Sequence, residues 1–410
     1  MNRSLLMLSC LLGLTACAED NETHLDAEAT AMDAAPDAAP DAAVDAAPPV
    51  DPLTRWHDVE PGGDTICSRG TPYRFFVRDG DPDKVIFDFQ GGGACWDETS
   101  CSVAGALFAE EARPLSAYTD RLAEGTIGGL FDADPALNPL ADWTLVHVQY
   151  CTGDIHWGNA EKTYREGLTI EHRGFVNASA TLAWAYERFN PSQILVSGCS
   201  AGAYGAILHS AYIARQYPDA RLAVLADSGA GIITDSFLAD SLPNWGAQPN
   251  LPDFVAGLDR PITELTLPAV YIGVAGTFPQ HRFAQTATAF DADQIFYYTA
   301  MGGAAGDWPG RFRDSLATIA GSAPNFTYYV PPGPMHCALP YPFLADREVN
   351  GVRQIDWVDD LVNAPEMPAP VACEGEACFD DPVCDACAAN GGGPGCGFCD
   401  GWPDQFRNPQ

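Results

Sequence analysis

From residue 53 onward the chain alternates short apolar runs with longer stretches whose apolar residues recur every three or four positions. Short runs of this kind predict buried strands, and the longer spacing predicts helices. Tyr73–Arg78 and Lys84–Gln90 lie on either side of the turn Asp79-Gly80-Asp81-Pro82 and predict a hairpin or two neighbouring strands. Trp143–Tyr150 predicts a further strand. A helix is expected over Gly174–Phe189, with Phe175, Leu182, Ala183, Tyr186 and Phe189 at helical spacing and Asn190-Pro191 as its stop. A buried strand beginning at Ile194 then runs into Gly198-Cys199-Ser200-Ala201-Gly202, and a helical stretch follows to about Gln216. Arg221–Asp227, Ala269–Ala275, Gln294–Ala300 and Asn325–Val330 are each expected to be strands. Ile232–Leu267, rich in Pro, Trp and short apolar runs, could form a cap over a site. Alternating strands and helices argue for an α/β fold, a mainly parallel sheet with helices on both faces.

The turn at Ser200 is where chemistry enters. Strand, sharp turn and helix with serine at the tip form the G-x-S-x-G nucleophile elbow. Glycine on both sides has a steric reason, since the serine backbone is strained and a Cβ there would crowd strand against helix. Upstream, Gln90-Gly91-Gly92-Gly93-Ala94-Cys95-Trp96-Asp97 directly follows a buried strand. Three glycines there let backbone N–H groups approach a ligand, as in the loop that supplies half of an oxyanion hole. Serine needs a histidine to accept its proton and a carboxylate to hold that histidine's tautomer. His209, His281 and His336 follow Ser200. His209 lies about 13 Å along the nucleophile helix by helical rise and reads as a helix-face residue. His336, in Pro331-Pro332-Gly333-Pro334-Met335-His336-Cys337 after a strand, is where the base is expected, with His281 as runner-up. Position alone leaves Asp227, Asp291 and Asp293 open as the acid.

Composition narrows the partners. The 410 residues carry a formal net charge of −34, with 47% hydrophobic and 19% charged residues. Lys84 and Lys162 are the only lysines. No basic face exists to neutralise phosphates, so nucleic acid is excluded as a partner. An acidic polymer would also be repelled on average, unless a local arginine patch overrides this.

The two ends differ from the middle. Met1–Arg3 and the apolar run Leu5–Leu14 form an export signal, too short to span a bilayer. Leu14-Thr15-Ala16-Cys17 resembles a bacterial lipoprotein signal box, which implies a signal peptide over 1–16 and lipidation of Cys17. Residues 17–52 contain the repeats Asp33-Ala-Ala-Pro36 and Asp37-Ala-Ala-Pro40 and read as a disordered Asp/Ala/Pro tether. The expected location is extracytoplasmic, anchored to a bacterial membrane or cell surface by lipid alone, with plain secretion as the alternative. Residues 53–370 then form the catalytic domain, and 371–410 a Cys-rich tail. In an exported chain with 14 cysteines, disulfides are the default. Cys373, Cys378, Cys384, Cys387, Cys396 and Cys399 are expected to form three disulfides in preference to a zinc site, in a small appendage apart from the catalytic site.

The motifs F-Q-G-G-G-A-C-W-D, Y-C-T-G-D, S-G-C-S-A-G-A-Y-G-A, A-F-D-A-D-Q and M-H-C, in this order over about residues 55–345, resemble the pectin acetylesterase family, which includes Notum. The resemblance implies an α/β-hydrolase fold, no metal or other cofactor, and removal of acyl groups from oxygen. Carried over by motif, Ser200 is the nucleophile, His336 the base and Asp291 the acid, with backbone N–H groups of Gly93, Ala94 and Ala201 as oxyanion donors. It also implies the disulfides Cys95–Cys101 and Cys67–Cys151. Cys199 is expected to be an unpaired packing thiol, and Trp96, Asp97 and Asp154 to pack and cap loops. Ala94 stands where many members have tryptophan, so acyl size does not carry over. The resulting expectation is a monomeric serine esterase that removes acyl groups, acetyl first of all, from a pectin-like or other polysaccharide. A deacylase of longer-chain lipid or protein esters is the first alternative, and a catalytically silent carbohydrate-binding lipoprotein the second.

Overall fold

A computed structural model describes residues 55–102, 107–390 and 396–399. The signal peptide, Cys17 lipidation and tether expected over residues 1–52 lie outside the described residues. The strands are β1 (Trp56–Val59), β2 (Phe75–Arg78), β3 (Asp81–Phe89), β4 (Trp143–Val148), β5 (Ala160–Arg165), β6 (Leu168–His172), β7 (Gln193–Cys199), β8 (Arg221–Asp227), β9 (Arg282–Thr286), β10 (Phe326–Val330), β11 (Glu348–Val349), β12 (Val352–Arg353) and β13 (Val371–Ala372). The helices are α1 (Glu98–Ser102), α2 (Leu115–Ala123), α3 (Gly174–Tyr186), α4 (Ala201–Gln216), α5 (Asp235–Asp240), α6 (Leu267–Thr277), α7 (Ala292–Ala300), α8 (Trp308–Ser322), α9 (Gln354–Asn363) and α10 (Pro382–Asn390).

One sheet in the order β1-β2-β4-β3-β7-β8-β9-β10-β13 organises the domain. Pairing is parallel from β4 through β13 and antiparallel only where β1 meets β2 and β2 meets β4. The α/β architecture expected from the pattern is therefore the observed one. Its central strands are apolar along their whole length, as strands covered on two sides must be. Val85, Ile86, Phe87, Ile194, Leu195, Val196, Leu222, Val224 and Leu225 are all buried in one continuous core. Helix α4, which follows Ser200, packs over β7, β8 and β3.

Three local expectations are corrected. β2 and β3 do not form a hairpin, because β4 lies between them. The stretch expected as a strand at Ala269–Ala275 lies inside helix α6, and that at Gln294–Ala300 lies inside α7. Both helices are set by their starts. Thr266 caps α6 by accepting the Ala269 N–H, with proline in the first turn, and Asp291 caps α7 by accepting the Gln294 N–H. Their buried residues, Val270, Tyr271 and Val274 in one and Gln294, Ile295 and Tyr298 in the other, follow the helical i, i+1, i+4 rhythm. Apolar residues between those positions hid that rhythm. The strand of this region is instead β9, which ends five residues before Asp291. The expected cap consists of α5 and short 3-10 turns at Leu242–Trp245, Gln248–Asn250 and Ile262–Glu264.

Candidate active site

The elbow is built as its glycines require. Ser200 stands at the N-cap of α4 with φ 57° and ψ −123°, a strained conformation for a residue with a side chain. A Cβ on Gly202 would collide with the Phe89 carbonyl of β3, and one on Gly198 with the Gly202 carbonyl. Strand and helix can thus converge only without side chains at these two positions. Ala201 opens α4, so its N–H is among those with no acceptor inside the helix.

The histidine expected as the base comes from 136 residues farther along the chain. His336 follows β10 and lines the same cavity as Ser200, Ala201, Gly93 and Ala94. Its Nδ1 lies 2.8 Å from Oδ1 of Asp291, itself fully buried at the N-cap of α7. The second Asp291 oxygen accepts from the Gln294 side chain at 3.2 Å. Asp293 faces the other ring nitrogen, with Oδ2 3.7 Å from Nε2. Burial opposes charge on His336, but Asp291, Asp293 and the Asp291 hydrogen bond, with a smaller contribution from Asp227, outweigh it and push the imidazole up to about 9.

The structure therefore separates the three carboxylates that sequence position had left open. Asp227 does not hold the histidine. Its Oδ2 accepts the N–H groups of Ala338 and Leu339 at 2.6 and 2.8 Å, and its backbone carbonyl accepts the Ser200 N–H at 2.8 Å. It pins the loop after His336 to the nucleophile turn. Burial, relieved in part by those amides, pushes the Asp227 carboxyl up to about 6. His281 is buried beside Phe278 and does not line the cavity. His209 lies between Phe89 and Phe175 inside the core.

Two expectations at the site are corrected. Cys199 is not a free thiol, because it forms a disulfide with Cys337. The residue before Ser200 is thereby bonded to the residue after His336. Once Ser200 and His336 share a cavity, their neighbours are brought to a Cα–Cα distance of 5.8 Å, within disulfide reach. The pairing was legible only as the recurrence of cysteine beside both motifs. Ala94, expected as an oxyanion donor, has its N–H directed elsewhere. Gly93 bridges to Phe108 in an antiparallel contact, and this turns the Ala94 N–H onto the Leu107 carbonyl at 3.1 Å. Gly93 and Ala201 remain at the cavity beside Ser200.

Cys67 is bonded to Cys151, and Cys95 to Cys101. Asp97 caps α1 by accepting the Ser100 N–H at 2.7 Å, and Asp154 accepts the Gly174 N–H at 2.7 Å. Trp96 packs edge-on against Phe237 of the cap. Two groups place three potential metal donors together, Cys95 with Cys101 and His172, and Cys199 with His336 and Cys337. In each the sulfurs are locked in a disulfide, which leaves one imidazole and no thiolate to bind a metal. In the tail Cys373 pairs with Cys378, Cys384 with Cys399, and Cys387 with Cys396. Six disulfides fit an oxidising compartment. No described helix is long and apolar enough to cross a membrane.

The cavity itself is apolar. It holds about 830 Å³ of empty space, the open mouth included, and Trp157, Ile232, Phe237, Leu242, Trp245 and Val270 are among its walls.

A mostly parallel sheet, a serine on a strained strand-to-helix turn, and a histidine that lines the same cavity and meets a buried carboxylate define an α/β-hydrolase-like chain. The comparisons with known proteins sharpen that class. Residues 58–239 match the family described as Pectinacetylesterase. Pectin acetylesterase 5 of Arabidopsis thaliana is 27% identical over 148 residues, 35% of this chain and 33% of that protein. Pectin acetylesterase 11 of the same plant is 24% identical over 206 residues, 46% of this chain and 50% of that one. The chain thus spans between a third and a half of the length of these curated relatives. Among solved structures, the Wnt deacylase Notum from Drosophila aligns with a TM-score of 0.56 and 16% identity, covering 75% of this chain and 93% of that one. At that identity the likeness is one of fold. The resemblance to the pectin acetylesterase and Notum family, first carried by the motifs, is borne out by the family match and by these relatives.

Proposed function

We propose that this chain is an extracytoplasmic serine carboxylesterase that works through an acyl-enzyme. The observation that carries the proposal is the 2.8 Å contact between His336 Nδ1 and Asp291, made beside a cavity that Ser200 also lines. Asp291 holds the tautomer that leaves Nε2 free to accept a proton. Ser200 loses its hydroxyl proton to Nε2 as its oxygen adds to the ester carbonyl. The resulting oxyanion is met by the N–H groups of Gly93 and Ala201, each worth ~3 kcal/mol of barrier when well placed. The alcohol departs with the proton from His336, and water then repeats the sequence on the acyl-enzyme.

Relatives named pectin acetylesterases support acetyl esters of a polysaccharide as the substrate class. The apolar cavity favours a second reading, since Trp157, Ile232, Phe237, Leu242, Trp245 and Val270 offer more apolar wall than the methyl of an acetyl group can meet. Longer acyl chains bury more apolar surface there, at about 0.8 kcal/mol per methylene. The substrates are best separated by a series of p-nitrophenyl esters from two to twelve carbons, with acetylated pectin, xylan and chitin compared in parallel. Under the acetyl reading kcat/KM peaks at two carbons, and a peak at eight or more moves the assignment to longer acyl esters. Ser200→Ala is expected to lower kcat at least ten-thousand-fold, on the order seen when a triad nucleophile is removed. Full activity in that variant would sink the mechanism. Labelling of Ser200 by a fluorophosphonate tests the same site without a substrate and separates it from a silent binding protein.

A further inference from the structure

The Cys-rich tail was expected to sit apart from the catalytic site, and the structure places it at the rim. Strand β13 pairs with β10, and the Cys373 N–H donates to the Val330 carbonyl at 2.9 Å. The Gly333 N–H donates to the Cys378 carbonyl at 3.0 Å. A Cβ on Gly333 would strike the Asp381 carboxylate, so the loop that carries His336 lies directly on the tail. Phe379 packs on Phe290, next to Asp291, with ring centres 4.7 Å apart. Farther along, disulfides Cys384–Cys399 and Cys387–Cys396 fasten the turn Cys396–Cys399 to α10. Within that turn the half-buried ring of Phe398 reaches His336, with ring centres 6.2 Å apart at 52°.

We propose that Phe398 is a specificity-determining residue that stacks on an uncharged sugar ring carrying the ester. The proposal rests on the esterase reading above and names the alcohol half of its substrate. His336 borders the acyl cavity, whereas Phe398 is absent from the cavity wall. The leaving alcohol takes its proton from the imidazole, so it must lie against that ring and outside the acyl cavity. An aromatic face placed there offers apolar contact to the C–H face of a pyranose. Two disulfides hold the turn in place, so little freedom is lost when a sugar docks. Charge selects which sugar. Glu374, Glu376, Asp380, Asp381 and Asp385 are the ionisable residues of the tail from 373 to 399, with no lysine or arginine among them. Arg347 faces the buried Asp381 and Arg313 packs on Cys378, but the carboxylate shown at the His336 ring, partly exposed Asp293 at 3.7 Å, is negative, so a free uronate docked there would be repelled and a neutral ring would not.

The test compares three substrates on the full-length protein: an O-acetylated xylo-oligosaccharide, an acetylated oligogalacturonide with free carboxylates, and ethyl acetate. In the wild type the neutral oligosaccharide is expected to have the lowest KM. Phe398→Ala is expected to lower kcat/KM for that oligosaccharide at least tenfold more than for ethyl acetate, mostly through KM. Phe398→Trp should restore most of the difference. Equal losses on oligosaccharide and ethyl acetate would assign Phe398 a structural role and overturn the proposal, as would a wild-type preference for the anionic oligomer. If Phe398→Ala does not fold, Phe398→Leu keeps the apolar bulk without the aromatic face and is read by the same ratio. Activity that persists in Ser200→Ala would instead overturn the esterase reading itself, so the two failures are distinct.

Discussion

Asp227 and Asp291 are two fully buried carboxylates near the ends of neighbouring strands, and they do different work. Asp227 spends its oxygens on the backbone, accepting two N–H groups from the loop after His336 and a hydroxyl from Ser228. Asp291 takes one backbone N–H from its own helix and gives the rest of that oxygen to the imidazole. A carboxylate satisfied by amides holds a chain in place, and one that meets an imidazole can also hold a charge that forms during reaction. The pair shows that burial and position after a strand do not set what a carboxylate does. What sets it is which donor it has been left free to meet.

The largest break in that comparison is Asp291→Asn. Asparagine keeps a cap oxygen for Gln294 but stabilises the wrong tautomer of His336. Turnover of p-nitrophenyl acetate is expected to fall about ten-thousand-fold, while the melting temperature changes little. A loss below tenfold would show that Asp291 is not the acid.

Cutting the Cys199–Cys337 disulfide comes next. It closes a loop of 138 residues between the nucleophile turn and the histidine loop, whereas Asp227 ties the same two segments by hydrogen bonds. The double variant Cys199→Ala, Cys337→Ala is expected to lose about 2–5 kcal/mol in a urea melt. If stability is unchanged, Asp227 and the surrounding core hold the two segments alone. At Asp227 itself, alanine leaves two buried amides without an acceptor and should cost about 2–4 kcal/mol. Asparagine retains an oxygen and should recover most of that stability. Burial pushes the Asp227 carboxyl up to about 6, so folding disfavours its charge while the Ala338 and Leu339 amides favour its oxygen. Equal losses in Asp227→Ala and Asp227→Asn would mean that the charge matters after all.

How much of this was legible follows from where each residue's role is decided. Ser200 was readable because its requirements are local: a buried strand, two glycines and a helix within nine residues. The Gly91–Gly93 loop was readable for the same reason. His336 was placed by its position after a strand. The acid was not, because Asp227, Asp291 and Asp293 have similar local surroundings and differ only in what the fold brings to them. The helical register around Asp291 was also hidden, since the apolar stretch Ile295–Tyr298 reads as a strand until the cap at Asp291 is recognised. The family resemblance selected Asp291 where spacing could not. Cys199, the Ala94 amide and the tail depended on long-range contacts with Cys337, Leu107 and His336, which no short window contains.

Asp293 offers the smallest and most diagnostic change. Its carboxylate lies 3.7 Å from the nitrogen that must accept the serine proton, so it stabilises the imidazolium without holding the productive tautomer. With the His336 imidazole pushed up to about 9, kcat/KM is expected to climb with pH toward that value if His336 is the base. The same shift has a stability counterpart. The folded imidazole binds its proton more tightly than the unfolded one, so its contribution is complete below about pH 6.5 and is lost as pH rises through about 9. Asp293→Asn removes one of the two nearest negative charges. The acid limb of the pH–rate profile should move down by about one unit, and activity at pH 7 should rise several-fold. The drop in melting temperature between pH 6 and pH 10 should shrink with it. An unmoved limb would assign the raised imidazole to Asp291, with the smaller contribution from Asp227. A shift toward higher pH would require that Asp293 and His336 do not face each other in solution.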